Sequence, residues 1–328
     1  MDGAHLQGGW KKTMREADLW PALREYWHPV TLAENVGERP YAAKLLDERI
    51  VICRLGDRWA VFSDLCIHRG TPISLGRIEG DTVVCGYHGW QYNAEGKCVR
   101  IPSIPPEHPI PKKACLTRYP TEERYGIVWV CMSDEPRSPL PELPDLRDPT
   151  HHVVVRDQRN WKCSAARAIE NFVDFAHFPW IHEGILGDRD HPLTPDIEVK
   201  REGEELRFGY TNLPDRIHPV PHTRNYRLIR PFSIYQWKDE SEERRETLSF
   251  LCTPISANEC TRFLIITGNY ERETEMRFTE VISEQDRVIV ENQRPEELPL
   301  DLAEELHVKG PDAVALAYRR FMRELGVE

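Results

Sequence analysis

Two short stretches, "CIHRG" and "CGYHGW", constrain this chain more than anything else in it. They place Cys66 and His68 as a Cys-x-His pair and Cys85 and His88 as a Cys-x-x-His pair, with sixteen residues between the pairs. Thiolates and imidazoles so spaced are metal ligands. The four would hold a tetrahedral zinc, or a [2Fe–2S] cluster with two Cys on one iron and two His on the other. Each pair is mixed, whereas zinc sites usually pair cysteine with cysteine, so the cluster fits better. Gly70 and Gly89 follow the histidines closely. Glycine there lets backbone N–H groups approach the sulfurs. The fold must therefore bring two loop tips to one point, which two β-hairpins do.

The surrounding sequence supports hairpins. "ERIVICRLGDRWAVFSDLC" reads as two strands around "LGDR", "DTVVCGYHGWQYNAEGKCVRI" as two more around "NAEG", and "YGIVWVCM" as a short buried strand. The seven other cysteines are irregularly spaced, and Cys131 lies in an apolar run. They read as buried small hydrophobes rather than a disulfide framework. "CIHRG" and "CGYHGW" resemble the two ligand loops of a Rieske domain of the kind found in oxygenases. Such a domain alone needs about a hundred residues. The expected organisation is an N-terminal segment (1–40), a Rieske [2Fe-2S] domain (41–135), a Pro-rich linker (136–150) and a second domain (151–328).

The second domain carries another constellation. "AIENFVDFAHFPWIHEGILGD" contains Asn171, Asp174, His177 and His182. The spacing predicts a helix over 164–178, with Asn171, Asp174 and His177 on one face and Pro179 ending it. On an ideal helix His182 would sit about 140° round from His177. Pro179 disturbs the helix and would turn His182 back. The plain alternative is two half-buried histidines on an apolar helix. Dioxygen-activating non-haem iron uses two His and one carboxylate. In the predicted helix "MRFTEVISEQDRVIVENQ", Asp286 falls on an apolar stripe with Phe278, Ile282 and Ile289, while Glu284 and Glu291 fall opposite. A buried Asp needs a cation, either a metal or a core arginine.

Here too the chain resembles a family. "ENFVDFAHFPWIH" is similar to the Asn-Phe-x-Asp-x-x-His-x4-His motif of the Rieske non-haem iron oxygenases, and "EQDRVIVENQ" to the segment bearing their third ligand. The likeness is nearest to shorter homomeric members: vanillate and dicamba demethylases, toluenesulfonate methyl-monooxygenase and the saxitoxin-pathway hydroxylases. It implies an α+β fold, an all-β Rieske domain followed by a helix-grip α+β catalytic domain. Cys66, His68, Cys85 and His88 would bind the Rieske cluster, and His177, His182 and Asp286 a mononuclear Fe(II). O2 would be co-substrate. The subunits would form a head-to-tail homotrimer, with Asp174 bridging His88 of one subunit to His177 of the next. The reaction implied is hydroxylation or O/N-demethylation of an aromatic or cyclic small molecule. A cis-dihydroxylating dioxygenase, or a Rieske electron carrier without oxygenase activity, are the competing readings.

No G-x-G-x-x-G nucleotide fold and no plant-type ferredoxin cysteine spacing occur, so NAD(P)H would act only through a separate ferredoxin or flavin reductase. Arg69, Arg77, Lys97, Arg100, Lys112 and Lys113 cluster around the Rieske loops, either as a docking face for it or as a solvated surface. The net charge of −11 argues against nucleic acid. With no long apolar run and no signal-peptide core, a cytoplasmic protein without a membrane span is expected. Substrate contacts are expected from "RNYRLIRPFSIYQW", which offers Tyr226, Phe232, Tyr235 and Trp237, with Arg224, Arg227 and Arg230 as possible anchors for a carboxylate or sulfonate.

Overall fold

The computed structural model describes residues 14–241, 244–269 and 275–326, with side chains described throughout these except at 239–241, 244 and 275–278. Residues 1–13 of the expected N-terminal segment and the Phe278 side chain lie outside this description. After a one-turn helix α1 (Trp20–Leu23) the first part of the chain is β1 (Trp27–Leu32), β2 (Tyr41–Leu45), β3 (Glu48–Leu55), β4 (Arg58–Ser63), β5 (Arg77–Glu79), β6 (Thr82–Val84), β7 (Gln91–Tyr92), β8 (Cys98–Arg100), β9 (Arg118–Tyr119), β10 (Thr121–Arg124) and β11 (Ile127–Cys131). These form three antiparallel sheets, ordered β1-β11-β10, β2-β3-β4-β9 and β5-β6-β7-β8. Val51, Phe62, Ile73, Val83 and Tyr92 make a separate small core, and Cys66 and Cys85 belong to it.

The second part is β12 (His152–Trp161), α2 (Ala165–Phe172), α3 (Phe178–Ile181), β13 (Lys200–Glu202), β14 (Glu205–Thr211), β15 (Thr223–Ile229), β16 (Ser233–Ser241), β17 (Arg244–Ser256), β18 (Glu259–Gly268), α4 (Glu275–Val290) and α5 (Ala313–Arg323). Seven strands pair antiparallel in the order β12-β18-β17-β16-β15-β14-β13. Alternation of buried and exposed residues along β14 gives one face to the core. The helices α2 and α4 lie against this sheet, and α4 touches α2, which is the helix-grip arrangement.

Local chemistry fixes α2. Ser164 caps it, its side chain accepting from the Arg167 N–H at 3.3 Å. Glu16, from the N-terminal segment, accepts from the Ala166 N–H at 2.8 Å. Beneath it Arg319 of α5 makes two bonds to Glu170, at 2.6 and 2.7 Å. The Pro-rich stretch is extended but pinned: Leu140 and Leu143 are buried, and Asp145 accepts from the Tyr235 hydroxyl at 2.5 Å and from Arg245 at 3.2 Å. All nine cysteines are free thiols, and Cys131 is buried. Among the described residues no helix is long and apolar enough to cross a membrane.

Two candidate metal centres and an adjoining cavity

The two Cys-His loops are built alike. In each, the N–H of the following glycine closes the turn on the cysteine carbonyl, Gly70 on Cys66 at 2.9 Å and Gly89 on Cys85 at 3.0 Å. In each, the cysteine N–H donates to the carbonyl five residues on, Thr71 at 2.8 Å and Trp90 at 2.9 Å. Both glycines have positive φ, +68° and +69°, which a residue with a Cβ adopts only with strain. The result is two superficially unlike sequences folded into the same turn. Cys66 and Cys85 are buried, at 3% and 1% exposure, whereas His88 is exposed.

The imidazoles of His68 and His88 meet edge to face at 4.6 Å, and Trp90 stacks on His68 at 4.5 Å. The His68 Nδ1 is buried and has no hydrogen-bond partner among the described residues. Burial, and then the neighbouring His88 and Arg69, lower the His68 pKa. The Tyr92 hydroxyl lies 3.2 Å from Cys66 Sγ. Two cysteine sulfurs and two imidazoles are the donor set a Rieske cluster takes.

The second centre is assembled by α3 and α4. The helix that begins at Ala165 stops at Phe172, earlier than the sequence spacing suggests, because the chain turns at Val173 and Asp174. Pro179 then sits in the first turn of α3, where a missing N–H costs nothing. It starts a helix rather than breaking one. His177 and His182 are the residues flanking this single turn, and their Nε2 atoms lie 3.2 Å apart.

From α4, Asp286 Oδ1 lies 3.0 Å from His182 Nε2 and 3.4 Å from His177 Nε2. Such separations match neighbouring ligands of one ion held at roughly 2.1 Å. Burial alone would depress His177, but the nearby carboxylates of Asp174 and Asp286 outweigh it and raise its pKa to about 9. Burial pushes Asp286 up, yet His177 and His182 hold it below the usual carboxylate range. The group thus attracts positive charge, and two imidazoles with one carboxylate suit non-haem iron. Glu284 and Glu291 instead pair with Arg287; Glu284 is exposed, and Glu291, largely buried, also accepts from the Lys162 N–H at 3.0 Å. Ile289 is 42% exposed, and Val290 takes the buried place on that side of α4.

Sequence reasoning missed Gln285. Its Oε1 lies 2.8 Å from His182 Nδ1, so the imidazole donates there and leaves Nε2 free for a metal. Asp174 lies 3.6 Å from His177 Nδ1, and its other oxygen accepts from the Ala176 N–H at 2.8 Å.

A cavity of about 480 Å³ opens beside the triad, walled by Phe172, Phe178, Leu248, Phe250 and Ile266. Strand alternation sorts the residues expected here. Tyr226 and Arg224 line the cavity. Phe232 is core, Tyr235 turns to Asp145, Arg227 pairs with Glu205 at 2.5 Å, and Arg230 is buried against Glu324 at 3.0 Å.

A Rieske [2Fe-2S] domain matches residues 26–120, and the vanillate O-demethylase oxygenase C-terminal domain matches residues 161–328. The chain belongs to the Rieske non-haem iron oxygenases, oxidoreductases that use O2, and membership implies a Rieske cluster and a mononuclear iron. It is 32% identical over 317 residues to methylxanthine N1-demethylase NdmA of Pseudomonas putida, covering 92% of this chain and 89% of that one. It is 31% identical to the N3-demethylase NdmB of the same organism, over 93% of this chain and 90% of that one. The structure of NdmA with caffeine superposes with a TM-score of 0.86 at 30% identity, covering 94% of this chain and 93% of that one. Dicamba monooxygenase, at 18% identity and a TM-score of 0.77 over 93% of this chain and 98% of that one, shares the fold.

Proposed function

We propose that this chain is a terminal oxygenase that removes a methyl group from nitrogen or oxygen on a small ring compound. The observation that carries the reading is the convergence of His177, His182 and Asp286 at the wall of a cavity of about 480 Å³. The methylxanthine relatives, by their names N-demethylases, favour demethylation over ring dihydroxylation. The overall change is R–X–CH3 + O2 + 2e⁻ + 2H⁺ → R–XH + CH2O + H2O, with X nitrogen or oxygen. The electrons come from NADH or NADPH through a separate ferredoxin or flavin reductase.

On this reading Cys66, His68, Cys85 and His88 hold the cluster, and His177, His182 and Asp286 hold the iron. When bound, the two groups relay single electrons and activate dioxygen. The chain's own residues do the rest. Gln285 keeps the His182 Nδ1 proton in place. Phe172, Phe178 and Phe250 exclude water and bracket a flat ring.

Asp174 faces a separate depression of about 210 Å³ that shares only Asn171 and His177 with the substrate cavity. An exposed His88 and a half-open Asp174 suit a head-to-tail trimer in which His88 meets Asp174 of the partner subunit. A carboxylate between two imidazoles holds the tautomer of each and couples their protons.

The test is oxygen uptake and formaldehyde release by the iron-loaded protein with a reductase, NADH and a panel of N- and O-methylated ring compounds. Uptake matched by formaldehyde supports the reading. Oxygen uptake with a cis-diol product, or no substrate-dependent uptake, overturns it.

A further inference from the structure

The Pro-rich stretch ends in "DLRDPTH", which carries Asp145, Asp148 and His151 at steps of three. The backbone keeps that step. A 3-10 turn covers Pro144–Leu146. The Asp148 N–H then donates to the Asp145 carbonyl at 3.4 Å, and the His151 N–H to the Asp148 carbonyl at 3.0 Å. With three residues to a turn, side chains at i and i+3 stand over one another. Asp145, Asp148 and His151 therefore share one side, and one ligand atom from each lies within 4.8 Å of the other two. Arg147 turns away, to Glu142 at 3.1 Å and the Tyr125 ring at 5.5 Å.

Each carboxylate is held by one oxygen and open at the other. Asp145 accepts from Tyr235 and Arg245 on Oδ2 alone, and no donor among the described residues reaches Oδ1. Asp148 accepts from the Thr150 hydroxyl and N–H on Oδ1, at 2.7 and 2.8 Å, which holds it below the usual carboxylate range. Its Oδ2 turns to the imidazole, 3.4 Å from His151 Nδ1, the same separation as between His177 and Asp286. The His151 side chain is only 6% exposed. Its Nδ1 also lies 3.3 Å from Thr150 Oγ1, and its Nε2 is buried with no partner among the described residues. A buried polar atom without a partner costs folding energy. Two carboxylates meet a single cation here, Arg245, which leaves negative charge for an ion to neutralise.

We infer that Asp145, Asp148 and His151 bind a divalent transition ion, Zn2+ in kind, through one oxygen of each carboxylate and one imidazole nitrogen, with water completing the shell. Oxygen and imidazole ligands suit zinc. The Tyr235, Arg245 and Thr150 donors on the far oxygens orient the two carboxylates as supporting groups do at metal sites. The ion is structural. It fixes the turn through which the Pro-rich stretch enters β12, and by way of Asp145 it ties that turn to Tyr235 of β16 and Arg245 of β17. This site is separate from the oxygenase chemistry proposed above and stands or falls without it.

The test adds zinc chloride to the cluster-bearing, iron-loaded protein, removes loose ion by gel filtration and counts metals. About one zinc per chain should stay bound with iron and acid-labile sulfide unchanged. X-ray absorption at the zinc edge should show nitrogen and oxygen at about 2.0–2.2 Å and no sulfur. His151→Ala and Asp148→Asn should each weaken zinc by roughly a hundredfold or more, beyond what loss of a supporting group costs, and keep the visible spectrum of the cluster. The asparagine oxygen still accepts from Thr150, so a loss there is not a failure to fold the turn. Zinc that enters only as iron leaves belongs to the His177 centre, and sulfur in its shell places it on cysteines. Either result overturns the inference, as does no zinc retained, or zinc retained by both variants as by the parent.

Discussion

At the scale of single residues, the proposed ligands stood out in the sequence and the groups that support them did not. Cys66, His68, Cys85 and His88 announce themselves because soft donors at short spacing have few other uses. Asp286 stood out as a carboxylate on an apolar stripe. Gln285 gave no signal, since a glutamine on a helix is unremarkable until its partner, 103 residues away in sequence, is known. Gln285→Leu should strip the orienting bond from His182 and weaken iron binding by roughly ten- to a hundredfold, measured by chelator competition. Asp286→Asn should lose the mononuclear iron altogether and keep the Rieske visible spectrum, so the iron count falls by about one per chain while acid-labile sulfide stays constant. In Tyr92→Phe the hydroxyl 3.2 Å from Cys66 Sγ is gone. A cluster with one fewer hydrogen bond to sulfur is harder to reduce. Voltammetry should show its midpoint lower by tens of millivolts, and an unchanged or higher midpoint would contradict this assignment.

At the scale of elements, hydrophobic pattern gave the hairpins of the first domain and the helices that begin at Ala165 and Glu275, and failed where tertiary contacts decide. The strand β12 was missed because most of its residues are exposed or half-exposed, which conceals its periodicity; pairing with β18 makes it a strand. The helix over 164–178 was overextended because "ENFVDFAHF" keeps a helical rhythm through a turn. Capping by Glu16 was not foreseeable, as it joins segments 150 residues apart. That cap carries a pH signature. Burial raises the Glu16 pKa from 4.5 to about 7, against the pull of the Ala166 N–H. The folded chain therefore holds a proton that the unfolded chain releases near pH 4.5, and this contribution to stability is lost as pH rises toward 7. Glu16→Gln should melt close to the parent at pH 5 and roughly a few degrees above it at pH 8, by calorimetry. A gap that does not change with pH would refute the assignment.

At the scale of the whole molecule, the sequence pointed to both redox centres but not to the room around them. Cavity and depression exist only once strands lying far apart in the chain are paired. The proposed trimer makes a sharp prediction. Mixing a variant without the cluster (Cys66→Ser) with one lacking the iron (Asp286→Asn), then reassembling them, should restore part of the activity absent from each alone. Mixtures that form trimers yet stay inactive would place electron transfer within one subunit. The triad has a consequence of another kind. It joins the short α3 to α4, two segments separated by about a hundred residues of backbone, among them most of the large sheet. An ion held there acts as a clasp on that loop. Closing so long a loop removes conformational entropy from the loosened chain in the way a disulfide does. Chelating the iron should therefore quicken amide exchange through residues 183–285, far beyond the three ligands, and leave the Rieske hairpins as they were.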